Sequence, residues 1–394
     1  MSIETKRSRR GILAVVSTGN FAQLGTRLLV GALVPLILVD IEGATRSNVG
    51  LALTGLWGIY ALLQFPSGVL ADRIGEHRLL ALGLGGTVIG TVLVAKAPSL
   101  WLFSVFVLVL GAGAGLFFSP ASALLSRLFE EQGGPLGTLT AVGALAGVIY
   151  PAIGGYVGNQ YGWRTAVLLS TVVTVPVLAG TILYLPSVEP ANAERRLAAA
   201  IDFDTIADLF SRRSVAYTTF IAVLLGFTFQ AFSSFFTTFL AQYRAIDPEI
   251  AGFLFAVVFG LSTIAQPIAG RLSDRFSRDL AIAGSVTLTG SGFVILLVVP
   301  GTVGVLVGSV VLGTGISWPG AVQARFMDQF AEDERGFGFG FVRSVYMFLA
   351  ASGSVVVGTL ADVGGWVLGY GAVVAVLAVA LAALGVNRLF SLDL

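Results

Sequence analysis

The sequence predicts an all-α integral membrane protein: twelve transmembrane helices in two pseudo-symmetric six-helix bundles. Composition points there first, with 56% of the 394 residues hydrophobic and only 11% charged, where a soluble domain carries about 25% charge. Mean hydropathy is +0.90. Apolar segments of about 20 residues or more then recur along the chain, each enough to cross roughly 30 Å of hydrocarbon at about 1.5 Å per residue. Finally, the second half repeats signatures of the first at a constant offset.

The first span runs from Gly11 to Val39, behind the basic start MSIETKRSRR. Its apolar run far exceeds the roughly 7 to 15 residues of a cleavable signal core, so it is expected to be retained. Five further spans are expected near 49–71, 79–97, 100–125, 135–157 and 163–186. Residues 187–213 are polar (EPANAERR, then IDFDTIADLFSRR) and read as a cytoplasmic linker. Six spans follow near 214–241, 249–271, 280–299, 302–325, 339–361 and 365–388. The domains are therefore an N-terminal bundle (1–186), the linker (187–213) and a C-terminal bundle (214–394). Lys and Arg accumulate on cytoplasmic loops. With the N-terminus inside, inner segments hold eighteen of the 23 basic residues, Arg343 and Arg325 counted among them. Outer loops hold Arg46, Lys96, Arg164 and Arg244, and Arg27 lies within the first span. This bias predicts a multi-pass protein of the cell membrane with both termini cytoplasmic.

The halves align. Gln64 to Arg73 (QFPSGVLADR) matches Gln266 to Arg275 (QPIAGRLSDR), and Gly155 to Trp163 matches Gly358 to Trp366, at offsets of 202 and 203 residues. A duplicated six-helix unit is the physical basis of alternating access, in which two bundles rock about a midplane site. Other classes are excluded. The two lysines, Lys6 and Lys96, are not preceded by Gly, so there is no phosphate-binding G-x-x-x-x-G-K-[ST] loop for ATP hydrolysis. There are no cysteines and one histidine, His77, so neither a metal cluster nor a hydrolytic triad can be assembled. No enzyme activity and no cofactor are expected. A net charge of +1 argues against a nucleic-acid partner.

Gly68-Val-Leu-Ala-Asp72-Arg73-Ile-Gly75-Glu76-His77-Arg78 resembles the loop signature G-x-L-x-D-R-x-G-R-K of the major facilitator superfamily, with a weaker copy around Gly270, Asp274 and Arg275. The resemblance covers the whole chain and implies a transporter. It also implies conformational roles for these residues, with Asp72 facing a helix N-terminus across the bundle interface, an arrangement the helix dipole favours. Glu76 stands where that signature is basic, and Ser277 where the second copy wants Gly. In the fifth span, Gly143 through Pro151, Gly154 and Gly155 is similar to the family's antiporter signature G-x-x-x-G-P-x-x-G-G, with Ala146 and Tyr150 in place of Gly. Val107 and Leu110 replace the Arg and Gln of the family's R-x-x-Q-G pattern.

Arg27 is the one charge expected deep in a span, an arrangement that costs about 2.5–3.5 kcal/mol on insertion scales and calls for a partner. All 22 carboxylates fall in loops or at helix ends, so the missing anion is expected to arrive as substrate. A planar guanidinium fork suits carboxylate, phosphate or sulfonate. Asn20 and Gln23 extend a polar stripe along the same helix. An Arg followed eight residues later by Pro35 resembles the organic-anion and organophosphate branches of the family, in which this Arg contacts the anion. The seventh span offers Gln230, Ser233, Ser234 and Thr237 in place of a second Arg, which points to a monoanion. Tyr60, Gln64, Tyr150, Gln266, Ser317 and Trp318 complete the candidate cavity residues. The bland alternative is that Arg27 bonds to main-chain carbonyls or to Gln and Tyr of neighbouring helices and only fixes packing, and the other polar residues could equally be packing glue. A monomeric carrier of a small anion is the leading reading, coupled to protons or to a counter-transported anion. Its rivals are a proton-coupled multidrug exporter and a non-transporting sensor on a carrier scaffold.

Overall fold

The computed structural model describes residues 9–129, 131, 133–186, 208–331, 335–390 and 392, and every regular element among them is α-helical. Most of the expected linker therefore lies outside the described residues. The first span is broken: α1 (Arg9–Ala32) meets α2 (Val34–Asp40) at 53°. Pro35 sits in the first turn of α2, where its missing N–H does no harm. Next come α3 (Arg46–Ile74) and α4 (Glu76–Ala95), then α5 (Leu100–Gly115) with α6 (Phe118–Leu128) as span four. Span five is α7 (Gly133–Tyr161), and span six is α8 (Trp163–Leu169) with α9 (Thr171–Tyr184).

The second series comprises α10 (Arg213–Tyr243), α11 (Pro248–Arg275), α12 (Arg278–Val298), α13 (Gly301–Gly315) with α14 (Pro319–Gln329), α15 (Arg335–Ala350) and α16 (Ser352–Leu389). At 38 residues, α16 is too long for one crossing. Gly364 and Gly365 leave helical geometry, and Gly369 returns against Val357 and Ala361. The chain therefore reverses there. Ten helices qualify as spans by length and apolarity, or eleven with the bent first pair. Dividing α16 at its reversal brings the number to the expected twelve.

The repeat is visible in backbone geometry. Gly162 (φ 84°) and Gly365 (φ 74°) make the same left-handed turn ahead of the buried Trp163 and Trp366, a conformation cheap only for glycine. Gly75 (φ 90°) starts α4, whereas its counterpart Ser277 is extended and caps α12 by accepting from the Leu280 N–H. The second copy needs no glycine there, because a Ser N-cap starts the helix another way.

The two series meet most closely at the end bearing Arg46 and Asp362. Gly31 packs on the Ser233 main chain and Gly50 on that of Ser354. Gly155 and Gly252 touch so closely that a Cβ on Gly155 would lie 3.2 Å from the Gly252 Cα. Small residues let helix backbones approach to this distance. At the opposite, basic end, Gly270 has nothing within 4 Å of a would-be Cβ, and Asp274 pairs with Arg278 of its own series.

Candidate functional site: a mid-span cluster of hydrogen-bond donors

Arg27 is 4% exposed. Its guanidinium carbon lies 3.7 Å from the Tyr60 ring centroid and 4.7 Å from that of Trp57. Tyr60 is the middle residue of α3, so the charge sits at mid-span. Nε donates to the Gln23 carbonyl one turn back at 3.1 Å, while the NH1 nitrogen is buried with no acceptor. Aromatic faces attract a cation but accept no strong N–H bond, so the fork remains incompletely satisfied.

Gln64, one turn along α3, is also buried. Its carbonyl and Oε1 accept from the Ser119 hydroxyl at 2.8 and 3.4 Å, and its Nε2 has no acceptor. On the other series, α10 runs alongside α1: Thr237 donates to the Gly31 carbonyl at 3.4 Å. Together with the packing of Gly31 on the Ser233 main chain, this places the turn from Gln230 to Ser233 level with Arg27 on the facing helix. The Gln230 Oε1 accepts from Ser233 at 3.3 Å, and Ser234 shares a 2.7 Å hydroxyl bond with Ser354.

The remaining candidates reach elsewhere. Asn20 donates to the Leu139 carbonyl at 2.9 Å and ties α1 to α7. Gln23 accepts from Thr87 of α4 at 2.6 Å, leaving its own Nε2 without an acceptor. The polar stripe on α1 thus serves three different neighbours. Tyr150 covers Gly25 and meets Phe21 edge-on at 5.3 Å, lining a pocket of about 270 Å³ with Leu29, Ile153 and Ser170, in which Val172 is exposed on the outer surface. It lies on a different flank of α1 from the Tyr60 contact. Gln266 donates to Ser262, which bonds to the Ile316 carbonyl, and Trp318 precedes α14, so these residues hold the bend of span ten.

Among the gating candidates, Pro151 and Gly155 form the crossing with Gly252, and Gly154 faces Leu29. Asp72 and Arg73 end α3, Gly75 supplies the turn to α4, and Gly68 faces Ser119 within its own series. Gly270 is open, Asp274 bonds Arg278, and Arg275 lies over Phe276 at 5.6 Å. A further carboxylate, Asp362, lies at a helix N-terminus across the two series. Asp362 accepts from the Ser47 N–H at 2.7 Å and pairs with Arg46 at 3.4 Å, while Arg46 also donates to Gln242 and to the Ala361 carbonyl.

The sequence reading missed three features. Arg343 was counted with the inner segments, yet it lies eight residues into α15, about 12 Å from its start. Its position inside the apolar run 339–361 was the available signal. The buried Glu76 pairs with Arg127 at 2.6 Å, and Asp279 pairs with Arg325 and accepts from Asn387. Glu76 and Asp279 stand 203 residues apart, so the repeat itself marked them.

A helical, multi-pass bundle with a buried polar cluster between two related series defines a membrane transporter rather than an enzyme. Residues 16–244 and 218–390 match the Major Facilitator Superfamily, and the chain belongs to that family. It is 30% identical over 158 residues to the multidrug resistance protein B homolog of Mycobacterium tuberculosis (strain CDC 1551 / Oshkosh), a match covering 39% of this chain and only 28% of that relative. It is 24% identical over 319 residues to a probable sulfoacetate transporter of Cupriavidus necator, covering 75% of this chain and 73% of the relative. The fold matches that of a bacterial homolog to the human lysosomal transporter Spinster with a TM-score of 0.81 at 14% identity, over 96% of this chain and 97% of that one.

Proposed function

We propose that this transporter is a secondary carrier that moves a small organic or inorganic anion by alternating access, with the anion bound at Arg27. One observation carries the reading: a mid-span guanidinium, held by two aromatic faces, has a buried N–H group without an acceptor and no ion-pair partner among the described residues. An Arg cannot relieve this by losing its proton. Cargo carrying a carboxylate, sulfonate or phosphate would complete the fork, and Gln64 Nε2 offers a further donor from α3. The probable sulfoacetate transporter among the relatives fits this chemistry. With the basic end taken as cytoplasmic, the closed Arg46 end is the outer gate of a cell-membrane carrier. Without a mid-span carboxylate, coupling falls to protonation of the substrate or to exchange for a second anion.

The relative named for multidrug resistance raises the exporter alternative. Proton-for-cargo exchange normally uses a carboxylate within the membrane, and the sequence places all 22 near loops or helix ends. Counterflow in proteoliposomes separates the two readings. Arg27→Gln should cut anion flux roughly 30- to 150-fold, the equivalent of about 2–3 kcal/mol for charge-assisted bonds. Intact anion flux in that variant, or flux of cationic dyes alone, would overturn the anion reading.

A further inference from the structure

We propose that Arg343 is the second cation of the substrate site and that the cargo is a dianion gripped by one guanidinium from each series of six helices. This rests on the anion reading above and replaces the monoanion expected from a single charge.

The position of Arg343 follows from the antiparallel contact of α3 with α15 and α16. Thr54 donates to the Ala351 carbonyl and accepts from the Val355 N–H, at 2.9 and 3.1 Å. Farther along, a Cβ on Gly58 would meet Phe348 at 3.5 Å, and Phe65 faces Phe341 with ring centroids 5.6 Å apart. This register sets Tyr346 opposite Tyr60 and Arg343 opposite Leu63 and Gln64. Arg343 is therefore about one helical turn from the level of Arg27, towards the basic end. Its guanidinium lies 4.7 Å from the centroid of Phe118, the neighbour of the Ser119 that binds Gln64. Arg343 has the Tyr346 hydroxyl as a hydrogen-bond partner, and its charge acts on that of Arg27.

Three donors thus converge on one face of α3: Arg27 NH1 and Gln64 Nε2, both buried without acceptors, and Arg343. Among the described residues neither guanidinium forms an ion pair, although seven other Arg–carboxylate pairs are present. Two like charges this close repel unless an anion lies between them, and one negative charge leaves a net cation in a low-dielectric interior. A dianion neutralises both. It also gives the carrier a reason to change state, because Arg27 belongs to α1 and Arg343 to α15, and bridging cargo draws the two series together at the site.

The test compares wild type, Arg343→Gln, Arg343→Lys and Arg27→Gln in proteoliposome counterflow at fixed pH. Lactate serves as monoanion, with malonate and methyl phosphate as dianions of the two chemistries. Wild type should favour a dianion over lactate by about tenfold or more. Arg343→Gln should lose that preference, its malonate and methyl phosphate fluxes falling about tenfold more than its lactate flux, and Arg343→Lys should retain much of it. Arg27→Gln should lose all three fluxes. Loss of every flux in Arg343→Gln with an unchanged elution profile and unfolding temperature, or an unchanged dianion-to-lactate ratio, overturns the dianion proposal while the anion reading survives. Misfolding of the Gln variant leaves Arg343→Lys to decide: loss of folding there as well marks Arg343 as structural and also overturns it. If wild type moves none of the probes, or Arg27→Gln moves all of them unchanged, the anion reading itself falls.

Discussion

Burying an arginine in hydrocarbon without a carboxylate requires some other device to hold it, and Tyr60 and Trp57 provide one. A ring face stabilises a cation by about 0.5–1 kcal/mol when exposed and 2 or more when desolvated, while leaving the N–H edges free. Aromatic contacts therefore tether the charge without competing for the acceptor that cargo would bring. A resident aspartate would do the opposite. Tyr60 distinguishes the two halves of this argument. Tyr60→Phe keeps the ring and should leave the KM for the proposed anionic cargo within about threefold, whereas Tyr60→Leu removes a contact worth about 1–2 kcal/mol and should raise KM roughly 5- to 30-fold. Equal effects of the two variants in counterflow titrations would show that the hydroxyl, not the ring face, positions Arg27. Arg27 itself was legible in the sequence because a charge inside a long apolar run has no bland surface reading. Its aromatic tether was not, since the 28 phenylalanines, nine tyrosines and five tryptophans of this chain look alike until the helices are placed.

At the scale of elements, each half pins the start of its third helix to the end of its fourth with an ion pair: Glu76 of α4 to Arg127 of α6, and Asp279 of α12 to Arg325 of α14. Both acids occupy the first helical turn, where the helix dipole favours a negative charge. Glu76 is 1% exposed and its Oε2 has no hydrogen-bond partner, so Arg127 is its principal compensation. Glu76→Ala removes a charge-assisted bond and leaves a partly exposed arginine that water can reach. The expected loss is about 1–3 kcal/mol, read as a lower unfolding temperature in detergent with the KM for the proposed anion unchanged. A shift in KM without loss of stability would place Glu76 in the transport cycle instead. Span number and most span boundaries were legible from hydropathy because every crossing must exclude water from its backbone. The breaks were less so. Pro35 announced the bend between α1 and α2, but the break at Gly115–Phe118 closes on local bonds from the Leu116 and Phe117 N–H groups, and at Gly315–Pro319 the neighbouring helix satisfies the Ile316 carbonyl through Ser262. Thr54 does this across the two series at Ala351, and no local pattern marks it. Arg343 was misread for a related reason: a loop and the first two turns of a helix carry the same charge signal.

For the molecule as a whole, the proposed alternating access requires that the tight end come apart at a modest energetic cost. Its contacts suit that demand. Glycine-to-backbone packing at Gly31, Gly50, Gly155 and Gly358 gains dispersion but involves few interlocked side chains. The polar clamp of Arg46, Gln242 and Asp362 is half-exposed, so water can replace its bonds on opening. Such pairs contribute about 0.2–1 kcal/mol, and the additional bond from the Ser47 N–H to Asp362 adds a similar amount. Removing the clamp should therefore shift the conformational balance without unfolding the protein. With no native cysteine, a single Thr237→Cys reporter, buried between α10 and Gly31, reads that balance directly through an impermeant thiol reagent applied from the Arg46 end. Asp362→Arg or Arg46→Asp alone should raise the labelling rate about 3- to 10-fold. The double reversal should bring it back towards the parent rate, because the pair is re-formed even though the Ser47 bond is lost. Equal labelling in all four proteins would show that the glycine contacts alone hold this end closed, and that Asp362 is only a surface charge beside a helix terminus.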